Sequence, residues 1–307
     1  MNTKTSLNLL SLAAAALLAA PSLAFAGLLA SDDFESYSLG ALSGQAGGTG
    51  WTGNWTAPGN VTRADVVDTT ANPLSFTPAG GAPINGATRA LEVQLKGAPA
   101  SQLCGVRTLA APISQTFYVS YLVRYEGSAG GNWGGFNNTF TLHLGTDATT
   151  TGSTLNFGLR GDGGSTTANE FVMRVGTGGP VAGASTGGQL TNDTTYFLVC
   201  EYTWGGSGYT SAKMWVNPTF SDITDTPGGD ASLTFASPIG ATTHVFWRAT
   251  VWDNNDIVQV DELTIGTDWV DVVPPAGPPV PRVSVETKAD GTGVVVPAQT
   301  LTAGNSI

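Results

Sequence analysis

Phe117-Tyr118-Val119-Ser120-Tyr121-Leu122-Val123-Arg124-Tyr125 is the stretch on which the fold class turns. Phe117, Val119, Tyr121, Val123 and Tyr125 fall on every second position, the two-residue repeat of a strand and not the 3.6-residue repeat of a helix. The same alternation sets Leu91, Val93 and Leu95 against Glu92, Gln94 and Lys96. It sets Leu155, Phe157 and Leu159 against Asn156, Gly158 and Arg160. Phe171, Met173 and Val175 continue it, and so do Tyr196, Leu198, Cys200, Tyr202 and Trp204. Each run has one apolar face and one mixed or polar face, so each is expected to cover a core on one side and meet water on the other. Gly-rich breaks punctuate the runs at 127–135, 161–164, 176–188 and 205–208, with further turns at Pro227-Gly228-Gly229 and Ser237-Pro238. About a dozen strands are expected over residues 28–273. An all-β, two-sheet antiparallel sandwich is the natural solution, because strands with one apolar face must bury it. No fixed-period repeat is visible, which argues against a propeller or a solenoid.

The first 26 residues stand apart from that pattern. Lys4 precedes an apolar stretch from Leu7 to Ala20, and Ala24-Phe25-Ala26 fits a small-x-small cleavage rule with the cut before Gly27. Residues 1–26 therefore read as a signal peptide, the apolar part being shorter than the roughly 20 residues a bilayer requires. No later segment is long and apolar enough to span a membrane. The expected location is secreted, extracellular or cell-surface. The chain carries 12 Lys and Arg against 23 Asp and Glu, a net charge of −11, with no basic cluster along the sequence. That balance argues against nucleic acid as a partner. Cys104 and Cys200 are the two cysteines. Export permits a bridge between them, and two buried, unreactive thiols are the alternative.

Composition shifts at Val272. Residues 274–281 read as a stiff Pro-rich linker after a sandwich domain of 27–273. Beyond it, Val283-Ser284-Val285-Glu286 and Gly293-Val294-Val295-Val296 flank an Ala289-Asp290-Gly291 turn. Residues 282–307 are expected to be the truncated start of a second β-domain.

Two stretches carry a resemblance. Asp32-Asp33-Phe34-Glu35-Ser36-Tyr37, Gly40-Ala41-Leu42 and Gly48-Thr49-Gly50-Trp51-Thr52-Gly53-Asn54-Trp55 resemble the opening of LamG-like, concanavalin A-like (jelly-roll) domains of secreted bacterial proteins. Val258-Gln259-Val260-Asp261-Glu262-Leu263-Thr264-Ile265-Gly266 resembles their closing strand. The resemblance implies one domain whose first and last strands lie side by side, followed by an Ig-like module. It also implies a binding or adhesive role, commonly toward glycans. Some such modules hold a structural calcium with carboxylates of the first and last strands, and Asp33, Glu35 and Asp261 are the matching positions.

Chemistry is sparse. The Glu-x-Asp-x-x-Glu pattern of laminarinase-like enzymes is absent, and Asp261 and Glu262, as neighbours on a strand, are expected to face opposite sides. His143 and His244 show no metal-ligand spacing to cysteine and read as strand residues. Asp33 and Glu35, two apart, are expected to share a face of the first strand. Asp253 and Asp256 form a second acidic loop, and calcium is the candidate cofactor for either group because it takes carboxylate oxygens. Sugar rings stack on aromatic faces. Trp133 with Asn137, Trp204 with Tyr209, and Trp252 with Asn255 are the candidate ligand-binding residues, placed on loops or strand ends. The expected function is a non-catalytic carbohydrate-binding or adhesion module whose partner is a glycan or a cell-surface or matrix component. A glycan-active enzyme and a structural spacer are the alternatives.

Overall fold

The computed structural model describes residues 27–57, 63–94, 98–126, 136–147, 154–162, 170–176, 183–185, 190–222, 229–251 and 256–277. In chain order the strands are β1 (Leu28–Asp32), β2 (Gly40–Ala41), β3 (Trp51–Thr56), β4 (Arg63–Asp68), β5 (Ser75–Phe76) and β6 (Ile84–Asn85). Then come β7 (Arg89–Gln94), β8 (Ala98–Ile113), β9 (Phe117–Glu126), β10 (Phe136–Gly145), β11 (Thr154–Asp162) and β12 (Glu170–Val175). The last are β13 (Gly183–Ser185), β14 (Thr195–Trp204), β15 (Tyr209–Val216), β16 (Ala231–Ile239), β17 (Thr242–Val251) and β18 (Ile257–Gly266), followed by a single helical turn, α1 (Trp269–Val272).

These strands form an all-β, antiparallel sandwich. The first sheet runs β16-β15-β14-β9-β18-β7-β4-β2, with β1 also paired to β18. The second runs β13-β12-β11-β10-β17-β8-β3, and β5 pairs with β6 apart from both. As expected, the first and last strands are neighbours: Ala30 lies opposite Ile265 and Asp32 opposite Leu263. The last two strands in sequence, β17 and β18, each occupy the middle of a sheet.

The alternating residues of β9 supply the core between the sheets. Phe117, Val119, Tyr121, Val123 and Tyr125 are fully buried against Phe140, Leu142, Phe157 and Trp247 of the facing sheet. The Tyr121 ring stands 4.9 Å from that of Trp247 and 5.1 Å from that of Phe157. Cys104 and Cys200 are buried in this layer as free thiols. Burial pushes the Cys104 thiol up to about 12, out of the reactive range.

The other face of the first sheet departs from expectation. Its central part does not meet water. Leu122, Phe197, Val199 and Trp215 are buried beneath Leu74 and Ile84, from the β5–β6 region, and beneath Trp269 and Val272 of α1. Trp269 sits in the helical turn, 5.0 Å from the Trp215 ring, donating its Nε1 proton to the Phe220 carbonyl. Beside this apolar layer, Arg124 donates to Gln259, Gln259 donates to Glu92, and Arg63 pairs with Glu92. The chain stays tied to the body just past position 273, where Ala82 N donates to the Pro274 carbonyl.

The opening motif joins the two sheets. Asp32, on β1, is 1% exposed and accepts from Tyr37 Oη at 2.5 Å, Trp55 Nε1 at 2.8 Å, Arg107 at 2.8 Å and the Phe34 backbone N–H. Trp55 and Arg107 belong to β3 and β8 of the opposite sheet, and the Arg107 guanidinium also lies over the Trp51 and Trp55 rings. Burial raises the carboxyl of Asp32 above its ordinary range, although all four donors favour the charged form. Gly48 and Gly50 have positive φ and bring their backbone against Ser31 and Leu29, where a Cβ would strike a carbonyl oxygen. Thr49 can then exchange backbone hydrogen bonds with Ser31.

Removing one partner of a buried charged network leaves the other uncompensated. Asp32→Ala is expected to cost about 3–5 kcal/mol in denaturant unfolding. Tyr37→Phe, which removes a single donor, should cost about 2 kcal/mol. Equal, sub-kilocalorie losses from both would show that Asp32 does not hold the sheets together.

Candidate functional site

The acidic corner expected at the two ends of the domain exists, but with altered geometry. β1 stops at Asp32, so Asp33 and Glu35 lie in the following turn and share no strand face. Phe34 between them has φ 56°, and Asp33 closes the turn by accepting the Glu35 N–H. Both oxygens of Glu35 are taken, one by the backbone N–H groups of Thr88 and Arg89 and the other by the Thr88 hydroxyl. Glu35 is thus a clamp between the first turn and β7.

Alternation also fails at Asp261 and Glu262. An extra residue in β18 opposite β9 makes a bulge, with Glu262 at φ 54°. Asp261 pairs opposite Leu122, and Glu262 lines a cavity with Ser120 and Thr264, so both carboxyls are on the outer side of the first sheet. Asp261 is fully buried, its Oδ2 lies where a Cβ on Gly86 would stand, and that oxygen has no hydrogen-bond partner among the described residues. Burial first, then the charges of Glu262, Glu35 and Asp33, push the Asp261 carboxyl up to about 9. Burial and the same two acids raise Glu262 to about 7.

An orphaned carboxylate oxygen among like charges is a feature that a hard cation would relieve. The donor set is nevertheless short of a calcium shell. Glu35 is committed elsewhere, and among the described residues no three His, Cys, Asp or Glu side chains converge on one point. Asp256 is in a different place and a different role, 1% exposed and accepting from Tyr125 Oη at 2.6 Å. The cavity beside Glu262, about 340 Å³, is floored by Phe197 and Val272 of the second apolar cluster. Its Asp271 carboxylate is occupied in capping α1. It is a gap between packed layers.

The aromatic candidates divide. Tyr209 is a core residue, fully buried, with its hydroxyl donated to the Ile113 carbonyl at 2.6 Å. Trp204 packs edge-on against it at 4.9 Å and is half-buried on the core cluster, so the two do not make a platform. Asn137 falls within β10, with its side chain outside the description; Trp133, Trp252, Asp253 and Asn255 lie outside the described residues.

The polar constellation that sequence reasoning missed lies on the outer face of the second sheet. Register builds it in rows across the strands. Arg174 of β12 lies opposite Asn156 of β11, Asn156 opposite His143 of β10, and His143 opposite Phe246 of β17. In the next row come Val172, Gly158, Thr141 and Arg248; in the one after, Glu170, Arg160 and Thr139. His143 is 2% exposed and held at both ring nitrogens, Nε2 to Thr141 Oγ1 at 2.8 Å and Nδ1 to Thr154 Oγ1 at 2.9 Å. A neutral imidazole has one donor and one acceptor nitrogen, so one threonine donates and the other accepts. Phe246 stacks on the ring at 4.9 Å, and Asn156 donates to the Gly176 carbonyl. Burial, then the charges of Arg248 and Arg174, hold His143 well below the ordinary histidine range and so uncharged. Arg174 is lowered to about 10, by burial first and then by Arg160 and Arg248.

Fold and rows together define a two-sheet antiparallel β-sandwich whose second sheet carries polar, largely buried side chains on its outer side. No protein family matches the chain, and no curated protein does. Solved structures similar to it include a cellulose-induced protein, Cip1, at 17% identity and TM-score 0.42, covering 78% of this chain and 97% of that one. An endo-β-1,4-glucuronan lyase from the fungus Trichoderma reesei shares 9% identity at TM-score 0.41, over 80% of this chain and 97% of its own. The carbohydrate recognition domain of Emp46p shares 10% identity at TM-score 0.38, over 69% and 87%. Likenesses this distant carry no weight for ligand or chemistry.

Asp261 supplies a pH test. Its carboxyl ionises near 3.8 in an unfolded chain and near 9 in the folded one. The folded state therefore loses stability as pH rises from about 4 toward 9, where the loss levels off. Asp261→Asn should flatten that slope in denaturant titrations, leaving the smaller contribution of Glu262 below pH 7. Superimposable slopes for variant and parent would mean that Asp261 ionises normally, and a slope erased by millimolar calcium would mean that a cation sits there.

Proposed function

We propose that this chain is an exported, non-catalytic carbohydrate-binding module that receives its glycan across the outer face of the second sheet. The observation that carries this reading is the row Arg174–Asn156–His143, fixed in register on three adjacent strands. Polar side chains on the outer face of a sheet ordinarily reach into water as mobile groups. Here Thr141, His143, Thr154 and Asn156 are each no more than 2% exposed and are hydrogen-bonded to one another or to backbone. These buried groups would serve as a fixed support, and the half-buried Arg174 at the end of the row and Arg160 beside it are the side chains a sugar would meet, with little entropy left to lose on binding. From β12 to β8 the face spans four strand spacings, about 19 Å, which suits an extended chain.

Among the side chains described, the same face shows no pair of carboxylates. Glu170 is the one carboxylate on it among the side chains described, and it is paired with Arg160 at 2.7 Å. Two carboxylates flanking one bond are what glycoside hydrolysis needs. Asp261 and Glu262 are on the opposite sheet, Asp261 wholly buried.

A glycan panel read by affinity electrophoresis tests the proposal. Retention is expected, without new reducing or unsaturated chain ends. Arg174→Gln should weaken it at least tenfold, about 1.4 kcal/mol, and Trp204→Ala should leave it unchanged. Failure of every glycan to bind would end the proposal, and new chain ends would replace it with an enzyme.

A further inference from the structure

We infer that hydrolysis of the Ala26–Gly27 bond creates a structural charge: the new α-ammonium group of Gly27 pairs with the Asp271 carboxylate and fastens the mature terminus to the closing strand. Gly27 is buried. Its carbonyl accepts the Thr267 N–H at 2.9 Å, next to the β1–β18 ladder in which Leu28 lies opposite Gly266. A Cβ at Gly27 would stand 2.2 Å from Asp271 Oδ2 and 2.6 Å from Thr267 Oγ1, so only glycine fits while Asp271 holds its cap. A Cβ at Gly266 would stand 2.3 Å from the Asp271 Cβ. Two glycines, from opposite ends of the domain, thus clear the space around one carboxylate. An α-nitrogen lies about 2.5 Å from its own Cβ position, which puts the Gly27 nitrogen within about 4.7 Å of Asp271 Oδ2.

Ala24-Phe25-Ala26 satisfies the small-x-small rule, which concerns the residues before a cut and leaves the one after it open. The fold removes that freedom by demanding glycine at position 27. Hydrolysis by an export peptidase leaves a carboxylate on Ala26 and an amine on Gly27, and the amine, ordinarily ionising at about 8, takes up a proton at neutral pH. In the uncleaved chain the same nitrogen is a neutral amide with one N–H. After the cut it offers three N–H donors and a full charge, the stronger class of hydrogen bond to a carboxylate. Asp271 Oδ2 accepts the Asp268 N–H at 2.9 Å, and a carboxylate takes about four hydrogen bonds, so it serves both the cap of α1 and the ammonium. A chain end is poorly ordered unless tied down, and β1 has β18 as its one ladder partner among the described strands. Because Gly27 is buried once β1 has docked, the peptidase acts before that seam closes, and the charge it makes then stabilises the closed seam. The pairing requires export, as the proposed function does, but not the glycan.

The full precursor, expressed in a host with an export peptidase, is expected to yield a secreted chain whose intact mass begins at Gly27. A start at any other residue overturns the inference, and an uncleaved chain also removes the exported state from the proposed function. Three forms of the mature chain then separate charge from fit at neutral pH: the free Gly27 terminus, the same terminus acetylated, and a terminus extended by Ala26. Acetylation and extension are each expected to lower the melting temperature by about 2–4 °C. In Asp271→Asn, which keeps an oxygen for the cap, neither should lower it further. A loss on extension but none on acetylation would show that bulk matters and charge does not. Equal losses in Asp271→Asn and in the parent would show that Asp271 is not the partner. Either result, or superimposable melts for all three parent forms, overturns the pairing while the exported reading stands.

Discussion

The sandwich depends on a single buried carboxylate. Asp32 leaves the first sheet and is met by Trp55 and Arg107 from the second, with Tyr37 closing the cluster from the turn between. Apolar packing between two sheets is non-directional and would tolerate sliding by a residue or a strand. A carboxylate in the dry interior does not tolerate it, because any displacement would leave both an anion and a guanidinium buried without partners. The opening motif is best understood in these terms. Its acids, aromatics and glycines fix how one sheet lies on the other.

The two outer faces then take different roles. On the first sheet, Trp269 of α1 and Ile84 of β6 cover an apolar patch, and Arg124, Gln259 and Glu92 bond among themselves beside it. Little of that surface is left to meet a partner. On the second sheet the central strands offer threonine, asparagine, histidine and arginine in rows, with the floor immobilised and the arginines half-buried above it. One outer side is thus sealed by apolar packing and the other by a hydrogen-bonded polar layer.

Fold class and core were legible in the chain because alternation is local: each of Phe117, Val119, Tyr121 and Val123 declares its side from its immediate neighbours. The pairing of β1 with β18 was legible from the resemblance of the two ends. The polar rows of the second sheet were not. Arg160, Arg174 and Arg248 become neighbours only through the register of β11, β12, β10 and β17, which no single segment encodes. The signal available was slight: Asn156 and Arg160 alternate against Leu155, Phe157 and Leu159, and Arg174 stands between Met173 and Val175. Tyr209 misled for a related reason, since its position at a strand end gave no sign that its hydroxyl reaches the Ile113 carbonyl in the core. Asp261 and Glu262 misled because one inserted residue reverses alternation, and a bulge announces itself only against the partner strand.

The placement of β17 and β18 has a consequence for how the molecule is made. Both come last among the described strands of the sandwich, and each must enter the centre of a sheet rather than extend its edge. Until they arrive, β10 and β8 have nothing between them, and β9 and β7 likewise. A nascent chain halted before residue 242 holds unclosed ladders on both layers and no β1–β18 seam, so it has no stable half-built form. Completion must be a single late, long-range event, with the slow kinetics such non-local pairing brings. The sandwich thus acquires its shape only once the segment carrying β17 and β18 is available to both sheets.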